Sequence, residues 1–258
     1  MITAASNSRI KRLVQLNQKS KLRRTEDVFL AEGVKMFLEA PREQLQEVYV
    51  SESFLEKGSC REHLEEVGYE VVSDSVFSKI SDTCTPQGVL CVLKQFHYNI
   101  EEMLRDKAPL FLLLENIQDP GNLGTMLRTG EGAGVSGIIM SRDTVDLYNP
   151  KVIRSTMGSI YRVPFYSAAD FAPAAPQVQQ AGVSVYAAHL RGKNSYACQD
   201  YTKGTAFLIG NEGNGLREET AELADCYIRI PMEGKVESLN AAVASSILMY
   251  EAHRQRAI

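Results

Sequence analysis

Three stretches of the chain combine glycine with the arginine, carboxylate and amide side chains that can hold or polarise a ligand. They are N-I-Q-D-P-G-N-L-G-T-M-L-R-T at 116–129, G-N-E-G-N-G at 210–215 and S-L-N at 238–240. Their candidate functional residues are Asn122, Arg128, Glu212, Ser238 and Asn240. An arginine is charged at every physiological pH, so Arg128 can hold an anion but is a poor base.

The surrounding elements should bring these stretches to one edge of a sheet. Apolar strands are predicted at 110–114, 206–209 and 227–230, and a small-residue helix is predicted to begin near Leu239. Ligands of parallel α/β sheets bind at the carboxyl ends of the strands, so a ligand site is expected there. Two simpler interpretations stay open, in which Arg128 pairs with a surface carboxylate and S-L-N is an ordinary helix N-cap.

Two glycine-rich segments resemble nucleotide-binding fingerprints but fail their tests. G-E-G-A-G at 130–134 lies at the end of a predicted helix, whereas a dinucleotide fingerprint lies between a strand and a helix. The loop at 210–215 follows a strand but lacks the G-K-[ST] of a phosphate-binding loop. Its Glu212 would also repel a triphosphate. A kinase, an NTPase and a nicotinamide-dependent oxidoreductase are therefore disfavoured.

Composition limits the class of protein further. Of the 258 residues 44% are hydrophobic, which is enough for one large domain or two smaller ones. The five cysteines form no C-x-x-C pair and the four histidines form no H-E-x-x-H, so we expect neither a disulfide framework nor a metal. No apolar run approaches the roughly 18 residues of a membrane helix, and no apolar secretory signal is evident. These features predict a cytoplasmic protein outside the membrane.

The net charge of −4 hides a strong asymmetry along the chain. Residues 1–25 carry seven basic and no acidic residues, which leaves 21 basic and 32 acidic residues elsewhere, a net charge of −11. A basic arm on an acidic body is a candidate phosphate-binding surface, although a solvated helix face is the simpler alternative. The candidate RNA-binding residues of this arm are Arg9, Lys11, Arg12, Lys21, Arg23 and Arg24.

Strands and helices alternate along the whole chain, which predicts an α/β protein with a mostly parallel C-terminal sheet covered by helices on both faces. A small α/β unit is predicted over residues 1–96, with helices that include 8–17 and 55–67. A polar linker is predicted at 97–108, and the larger domain at 109–258.

Taken together, the three polar stretches resemble the motifs of the SpoU (TrmH) family of RNA ribose 2′-O-methyltransferases, within the SPOUT superfamily. The full motifs are N-I-Q-D-P-G-N-L-G-T-M-L-R-T-G-E-G-A-G-V, L-I-G-N-E-G-N-G-L and I-P-M-E-G-K-V-E-S-L-N-A-A-V-A. N-P-K-V-I-R-S-T-M-G-S at 149–159 also resembles the family's mid-domain sequence. The first 95 residues resemble, more loosely, the substrate-binding domain of many members, through N-S-R-I-K-R-L, F-L-A-E-G-V and D-T-C-T-P-Q-G-V-L.

The resemblance implies a fold that periodicity does not reveal. Family members tie the C-terminal end of the catalytic domain into a deep trefoil knot, which general rules of chain topology would exclude. The resemblance also implies a homodimer with its site near the interface, and an N-terminal domain similar to a small α/β ribosomal protein that binds RNA.

The resemblance further implies a role for each site residue. The cofactor S-adenosylmethionine would lie in the knot cleft, held largely by backbone groups. The matching cofactor positions are Gly210, Ile230 and Leu239, with Leu208 and Met232 as neighbours. Arg128 matches the family's catalytic arginine and Asn122 an asparagine that helps to place it. Glu212 would orient one of these two or balance nearby positive charge, whereas Ser238 and Asn240 match residues near the methyl donor and the loop.

The activity expected from this resemblance is methyl transfer to a ribose 2′-hydroxyl, with ribosomal RNA as the preferred substrate because of the N-terminal domain. Transfer RNA is the alternative substrate. A different class of function also stays open, namely a ribosome-assembly protein that binds RNA and carries a vestigial site.

Overall fold

A computed structural model describes residues 1–257 of the chain. They form two compact units, the first comprising Met1–Phe96 and Asp146–Tyr161, the second comprising His97–Val145 and the chain from Arg162 onward. The domain limits expected from the sequence, 1–96, 97–108 and 109–258, stay a prediction.

The helices and strands follow one another in alternation. The first part of the chain forms α1 (Ser8–Gln18), α2 (Ser20–Glu26), β1 (Val28–Glu32), α3 (Val34–Leu38), β2 (Leu45–Ser51), α4 (Glu52–Glu56), α5 (Arg61–Val67), β3 (Glu70–Val72), α6 (Asp74–Ile80) and β4 (Val89–Lys94). The rest forms α7 (Ile100–Met103), β5 (Leu110–Leu114), α8 (Pro120–Ala133), β6 (Gly137–Ser141), α9 (Pro150–Thr156), β7 (Phe165–Ala168), α10 (Ala174–Gln180), β8 (Ser184–Ala188), β9 (Asn194–Ser195), β10 (Thr205–Ile209), α11 (Glu218–Ala221), β11 (Cys226–Arg229) and α12 (Ala241–Arg256).

The first unit is built on a four-stranded sheet in the order β1-β4-β2-β3. β4 runs antiparallel to β1 and β2, whereas β3 runs parallel to β2. Helix α1 buries Ile10, Leu13 and Leu16, which recur at the spacing of one helix face and pack with Tyr49 of β2. The polar face of α1 is thereby left to the solvent.

Residues 146–161 are part of the first unit although they lie between β6 and β7 in the sequence. Asn149 caps α9 by accepting a hydrogen bond from Lys151 N, at 2.9 Å. The Tyr148 hydroxyl accepts a hydrogen bond from Phe96 N at 2.7 Å, and the Tyr161 hydroxyl donates one to Met36 O at 3.0 Å. These bonds attach the segment to the backbone of the N-terminal residues.

The second unit is built on a seven-stranded sheet in the order β7-β6-β5-β10-β8-β11-β9, in which every pairing is parallel. β5 and β10 are buried at every residue, as expected of strands covered on both faces. Phe111, Leu113 and Leu208 pack with Val178 of α10 on one face. Helix α12 packs on β5 and β10 and against α8. The predicted fold, a parallel sheet with helices, is confirmed, and the trefoil knot stays a prediction.

Some local predictions were wrong. The helix predicted over 55–67 is two helices, α4 and α5, because Gly58 and Cys60 between them adopt left-handed backbone conformations with φ of 68° and 58°. Helix α2 and strand β1 were not predicted, although β1 is buried from Val28 to Ala31.

Candidate active site

The candidate site lies at the topological switch point of the sheet, where strands are added on opposite sides of β5. From β5 the chain moves to β6 and β7 on one side, whereas β10, β8 and β11 lie on the other side. Ligands of open α/β sheets bind at such a switch point, beyond the carboxyl ends of the strands. The loop after β5 and the loop after β10 are neighbours there, since β5 and β10 are paired from Leu110–Thr205 to Leu114–Ile209.

Glu212 joins the loop after β10 to the start of α8. Its carboxylate accepts hydrogen bonds from Gln118 N at 3.1 Å, Asp119 N at 3.1 Å and Asn122 Nδ2 at 3.0 Å. Partial burial raises the pKa of Glu212, but the bonds from Asn122 and the two backbone amides outweigh it, so the pKa lies below its ordinary value. Glu212 is therefore an ionised anchor and not a proton donor at neutral pH.

Asn240 extends this network to the third motif. Its Nδ2 donates to Asn122 Oδ1 at 2.9 Å, while its own Oδ1 caps α12 by accepting from Ala242 N at 2.9 Å and Val243 N at 3.2 Å. Asn122 thus donates to Glu212 and accepts from Asn240 through one amide group. The three motifs are connected side chain to side chain, and Asn240 of S-L-N is both a helix cap and a member of the network.

Arg128 is exposed on α8, and its side chain forms no hydrogen bond or ion pair with another residue in the described range 1–257. It follows Asn122 by six residues, about 9 Å along the helix axis. Helical side chains lean toward the helix N-terminus, so the guanidinium can extend toward Asn122. Glu212 bonds to Asn122 and not to Arg128, which leaves the arginine available to an external anion.

The expected cofactor positions fall into two groups. Gly210, Ile230, Met232 and Leu239 are half-buried, as a slot for an adenosyl group requires. Leu208 is fully buried in the hydrophobic core, so its side chain supports the loop from below and cannot line such a slot. Ser238 is exposed and, within residues 1–257, forms no hydrogen bond.

The backbone near these positions fits a ligand that forms hydrogen bonds with main-chain N–H and C=O groups. No hydrogen bond joins the backbone of residues 231–239 to any other residue within 1–257. Free N–H and C=O groups beside half-buried apolar side chains suit adenine, whose edge carries donors and acceptors and whose faces are apolar. Histidine, cysteine and carboxylate side chains of the described residues form no cluster of three or more that could hold a metal ion.

The loop after β10 is tightly folded. Asn211 N donates to Gly215 O at 3.0 Å and Gly215 N donates back to Asn211 O at 2.9 Å. The Asn211 side chain accepts from Gly213 N at 2.9 Å and donates to Asn116 O at 2.8 Å. A Cβ on Gly210 would lie 2.2 Å from Gly215 C, so only glycine fits at that position.

Sequence reasoning missed the buried carboxylate that supports this loop. Glu115, only 1% exposed, accepts from Arg217 N at 2.8 Å and from the Thr220 hydroxyl at 2.5 Å. The Arg217 side chain forms an ion pair with Asp143 in the loop after β6. The available signal was the position of Glu115, immediately after the fully apolar strand L-F-L-L-L.

The basic arm of the first unit divides into paired and free cations. Arg9 forms an ion pair with Glu70 at 2.8 Å, and Arg12 forms ion pairs with two glutamates, at 2.7 Å each. The Arg23 side chain is 3% exposed, donates to Leu16 O at 2.5 Å and pairs with Asp146, so it is a structural residue. Lys11, Lys21 and Arg24 are exposed and have no ion-pair partner within residues 1–257.

The arrangement can position and stabilise a ligand, and among residues 1–257 no serine, threonine, cysteine or lysine of the three motifs is hydrogen-bonded to a base that would activate it as a nucleophile. An ionised glutamate and two amides fix the loops, and a free arginine faces the solvent beside them. Such a site suits a reaction in which one reactant is already activated and the protein supplies alignment and charge stabilisation.

Comparison with known proteins agrees with this geometry. Residues 109–250 match the SpoU rRNA Methylase family and residues 7–91 match the MRM3-like substrate binding domain. The 23S rRNA (guanosine(2553)-2′-O)-methyltransferase RlmP of Bacillus subtilis is 32% identical over 252 residues, covering 96% of this chain and 97% of the relative.

Two solved structures share the whole fold. The AdoMet-bound rRNA methyltransferase from Sinorhizobium meliloti is 30% identical with a TM-score of 0.86, covering 98% of this chain and 97% of its own. The SpoU methyltransferase AviRb from Streptomyces viridochromogenes, in complex with AdoMet, is 26% identical with a TM-score of 0.88, covering 97% and 98%. With its motifs joined in one network, the chain belongs to the SpoU rRNA Methylase family.

Proposed function

We propose that this protein transfers a methyl group from S-adenosylmethionine to a ribose 2′-hydroxyl of structured RNA, with ribosomal RNA as the substrate. The observation that carries the proposal is the Glu212–Asn122–Asn240 network, which joins the three family motifs beside the unpaired Arg128. The names of the relatives support ribosomal RNA, since the Bacillus subtilis protein is described as a 23S rRNA methyltransferase.

The residues around the strand ends fit S-adenosylmethionine. Gly210, Ile230, Met232 and Leu239 would hold its adenosyl part through backbone groups and apolar contacts. When bound, the cofactor supplies a methyl group already activated on a sulfonium sulfur. The protein therefore needs no metal and no covalent intermediate, and its own side chains act on the RNA.

Arg128 acts on the ribose oxygen. As the C–S bond breaks and the O–C bond forms, the 2′-hydroxyl loses its proton, and an arginine beside it stabilises the negative charge that develops. Arg128 itself is not the base, because an arginine stays protonated at physiological pH. The proton passes to the solvent, and a neighbouring RNA phosphate held by the same guanidinium assists its removal. Asn122 fixes the first turn of α8, the helix from which Arg128 extends.

The substrate is held by the first unit, in which Lys11, Lys21 and Arg24 supply exposed cations for RNA phosphates.

The enzyme is a homodimer. The α12 surface supports a dimer because Val243 and Tyr250, which are seven residues apart and so lie on one face of the helix, are 48% and 49% exposed. A cytoplasmic location is supported by the five free cysteines. None of the helices in residues 1–257 is long and apolar enough to cross a membrane.

The substrate class is tested by methyl transfer from labelled S-adenosylmethionine. Unmodified ribosomal RNA, transfer RNA and ribosomal subunits are each incubated with the protein, and label is counted in the RNA. The proposal expects label in ribosomal RNA or its particles and only background in transfer RNA. Label confined to transfer RNA would overturn the substrate assignment. Cofactor binding without label in any RNA would favour an RNA-binding assembly protein.

A further inference from the structure

The loop between β6 and α9 is fixed to the first motif. Asn116 N donates to the Ser141 hydroxyl oxygen at 2.8 Å, and the Gln118 side chain donates to Asp143 O at 2.6 Å. Val145 N donates to Ile117 O at 2.8 Å. The loop is therefore held at the same sheet edge as the turn that begins α8, although no motif of the family resemblance covers it.

Arg142 extends from this loop without a partner. It is exposed and forms no hydrogen bond or ion pair with any residue in the part of the chain that the structure describes. The residues on either side of it are engaged, since the Ser141 hydroxyl donates to Asp143 Oδ1 at 2.5 Å and the Asp143 carboxylate pairs with Arg217. The nearest carboxylate in sequence is thus already neutralised, and the charge of Arg142 stays available.

Free arginines are a minority in the second unit. Four arginines pair with a carboxylate, and a fifth, Arg256, donates to backbone carbonyls. The paired ones are Arg162, Arg191, Arg217 and Arg254. Within the described residues of this unit, the arginines whose side chains form neither an ion pair nor a hydrogen bond are Arg105, Arg128, Arg142 and Arg229. Arg128, Arg142 and Arg229 lie on α8, the loop after β6 and the end of β11, which are the elements around the candidate site.

The strand order places Arg142 on one side of the candidate site. The expected cofactor residues follow β10 and β11, on one side of β5, whereas Arg142 follows β6, on the other side. A ribose that accepts a methyl group at the β5–β10 boundary has the expected cofactor residues on its β10 side and the loop of Arg142 on its β6 side, so a phosphate that flanks the ribose on the β6 side faces that loop.

We propose that Arg142 binds a backbone phosphate of the RNA beside the ribose that is methylated. This inference rests on the proposed function and adds a substrate contact to it. Guanidinium and phosphate match in geometry through paired hydrogen bonds. Because the loop is already fixed by its bonds to the first motif, little backbone order has to be gained when RNA binds.

The test compares Arg142→Ala and Arg142→Lys with Arg105→Ala. Arg105 is a matched control because it is also exposed and unpaired, but it precedes β5 and so lies toward the amino ends of the strands. For each protein, kcat and KM for ribosomal RNA are measured at several salt concentrations, and S-adenosylhomocysteine binding is measured by calorimetry. Thermal unfolding verifies that the variants are folded.

For Arg142→Ala we expect KM to rise on the order of tenfold with kcat little changed, since a charge-assisted contact is lost. The slope of log(1/KM) against log salt should become shallower by about 0.7–0.9, the value of one phosphate contact. Arg142→Lys should fall between the wild type and Arg142→Ala, and cofactor-product binding should not change. A KM and salt slope equal to those of Arg105→Ala would overturn the inference, as would a fall in kcat alone. If the wild type methylates no RNA, the proposed function itself fails instead.

Discussion

Arg128 is the residue on which the proposed chemistry depends, and its surroundings explain why an arginine can serve without being a base. It is exposed, unpaired among residues 1–257, and mounted on a helix whose first turn is tied to Glu212 through Asn122. The helix position is therefore determined by the network, while the guanidinium keeps its donors for the substrate. In the proposed reaction Arg128 contacts the substrate, whereas Glu212 and Asn122 hold the helix that carries Arg128.

Arg128→Lys should keep most of the RNA affinity and lose turnover. A lysine carries the same charge but cannot offer the paired donors that hold an alkoxide and a phosphate together. We expect a fall in single-turnover rate of about 10²-fold or more, the usual effect of removing one stabilising donor. Rapid-quench methylation assays measure it, with S-adenosylhomocysteine affinity as the control. A rate within threefold of the wild type would contradict the role of Arg128.

Glu212→Gln should destabilise the protein in a pH-dependent way. The pKa of Glu212 is lowered in the folded protein, so its stabilising effect is complete above its ordinary value of about 4.3 and is lost as the pH falls through the lowered pKa. The difference in melting temperature between wild type and variant should be constant from pH 6 to 8 and shrink below pH 4. Glu102→Gln on α7 is an exposed control. A difference that does not depend on pH would rule out the carboxylate as the source.

At the scale of elements, the site depends on how three loops and one helix start are attached to each other. Asn240 connects α12 to α8 through its two functions, a cap and a donor. Gly210 allows the loop after β10 to fold back onto its own backbone. For Asn240 and for Gly210, a matched pair of substitutions distinguishes an effect on folding from an effect on function.

Asn240→Asp and Asn240→Ala should have different effects. Aspartate can still cap α12, and its charge is favourable at a helix N-terminus, but it cannot donate to Asn122. We expect Asn240→Asp to keep its stability and lose turnover. Asn240→Ala should lose turnover and also about 1 kcal/mol of unfolding free energy. Denaturant unfolding and methylation assays on the same preparations measure both effects. Equal turnover in wild type and Asn240→Asp would show that the donor to Asn122 is not needed.

Gly210→Ala should weaken cofactor binding. The added Cβ would lie 2.2 Å from Gly215 C, so the loop after β10 must open. Gly213→Ala is the matched control, because its Cβ would meet only Asn211 Oδ1 at an ordinary 3.5 Å. Calorimetric titration with S-adenosylhomocysteine should give a much higher Kd for Gly210→Ala and a nearly unchanged Kd for Gly213→Ala. Equal affinities would remove Gly210 from the proposed cofactor site.

At the scale of the whole molecule, the charge asymmetry seen in the sequence resolves into two kinds of basic residue. Arg23 is buried and Arg9 and Arg12 have carboxylate partners, so these cations are partly or fully used inside the protein. Lys11, Lys21 and Arg24 stay exposed and unpaired among residues 1–257. The proposed RNA surface is therefore smaller than the count of basic residues suggests.

Replacing Lys11, Lys21 and Arg24 together by alanine should weaken ribosomal RNA binding without affecting the cofactor. Loss of three phosphate contacts makes the slope of log affinity against log salt shallower by about 2. The control is a triple alanine variant at Lys57, Lys79 and Lys94, exposed lysines of the same unit that make the same change in net charge. Filter-binding titrations at several salt concentrations measure both variants. Identical slopes for the two would place the RNA surface elsewhere.

The sequence predicted the parallel sheet, which is confirmed, because periodicity is a local signal. It also predicted that the polar residues of the three motifs lie at the carboxyl ends of the strands, and Asn122, Glu212 and Asn240 do contact one another; their roles in a reaction stay a prediction. The burial of Arg23 was not predictable, since it depends on Leu16 and Asp146, which are far apart in sequence. The contact of Asn240 with Asn122 likewise joins residues 118 positions apart. The role of Glu115 became evident only once Arg217 and Thr220 were placed beside it.

The central claim is that Arg128 supports methylation of a ribose oxygen. The most direct measurement incubates unmodified ribosomal RNA with S-adenosylmethionine and either the wild type or Arg128→Ala, digests the RNA to nucleosides, and identifies methylated products by mass spectrometry. The account predicts a 2′-O-methylated nucleoside with the wild type and none with Arg128→Ala, although both proteins bind S-adenosylhomocysteine equally. A methyl group on a base, or an undiminished yield from Arg128→Ala, would contradict it.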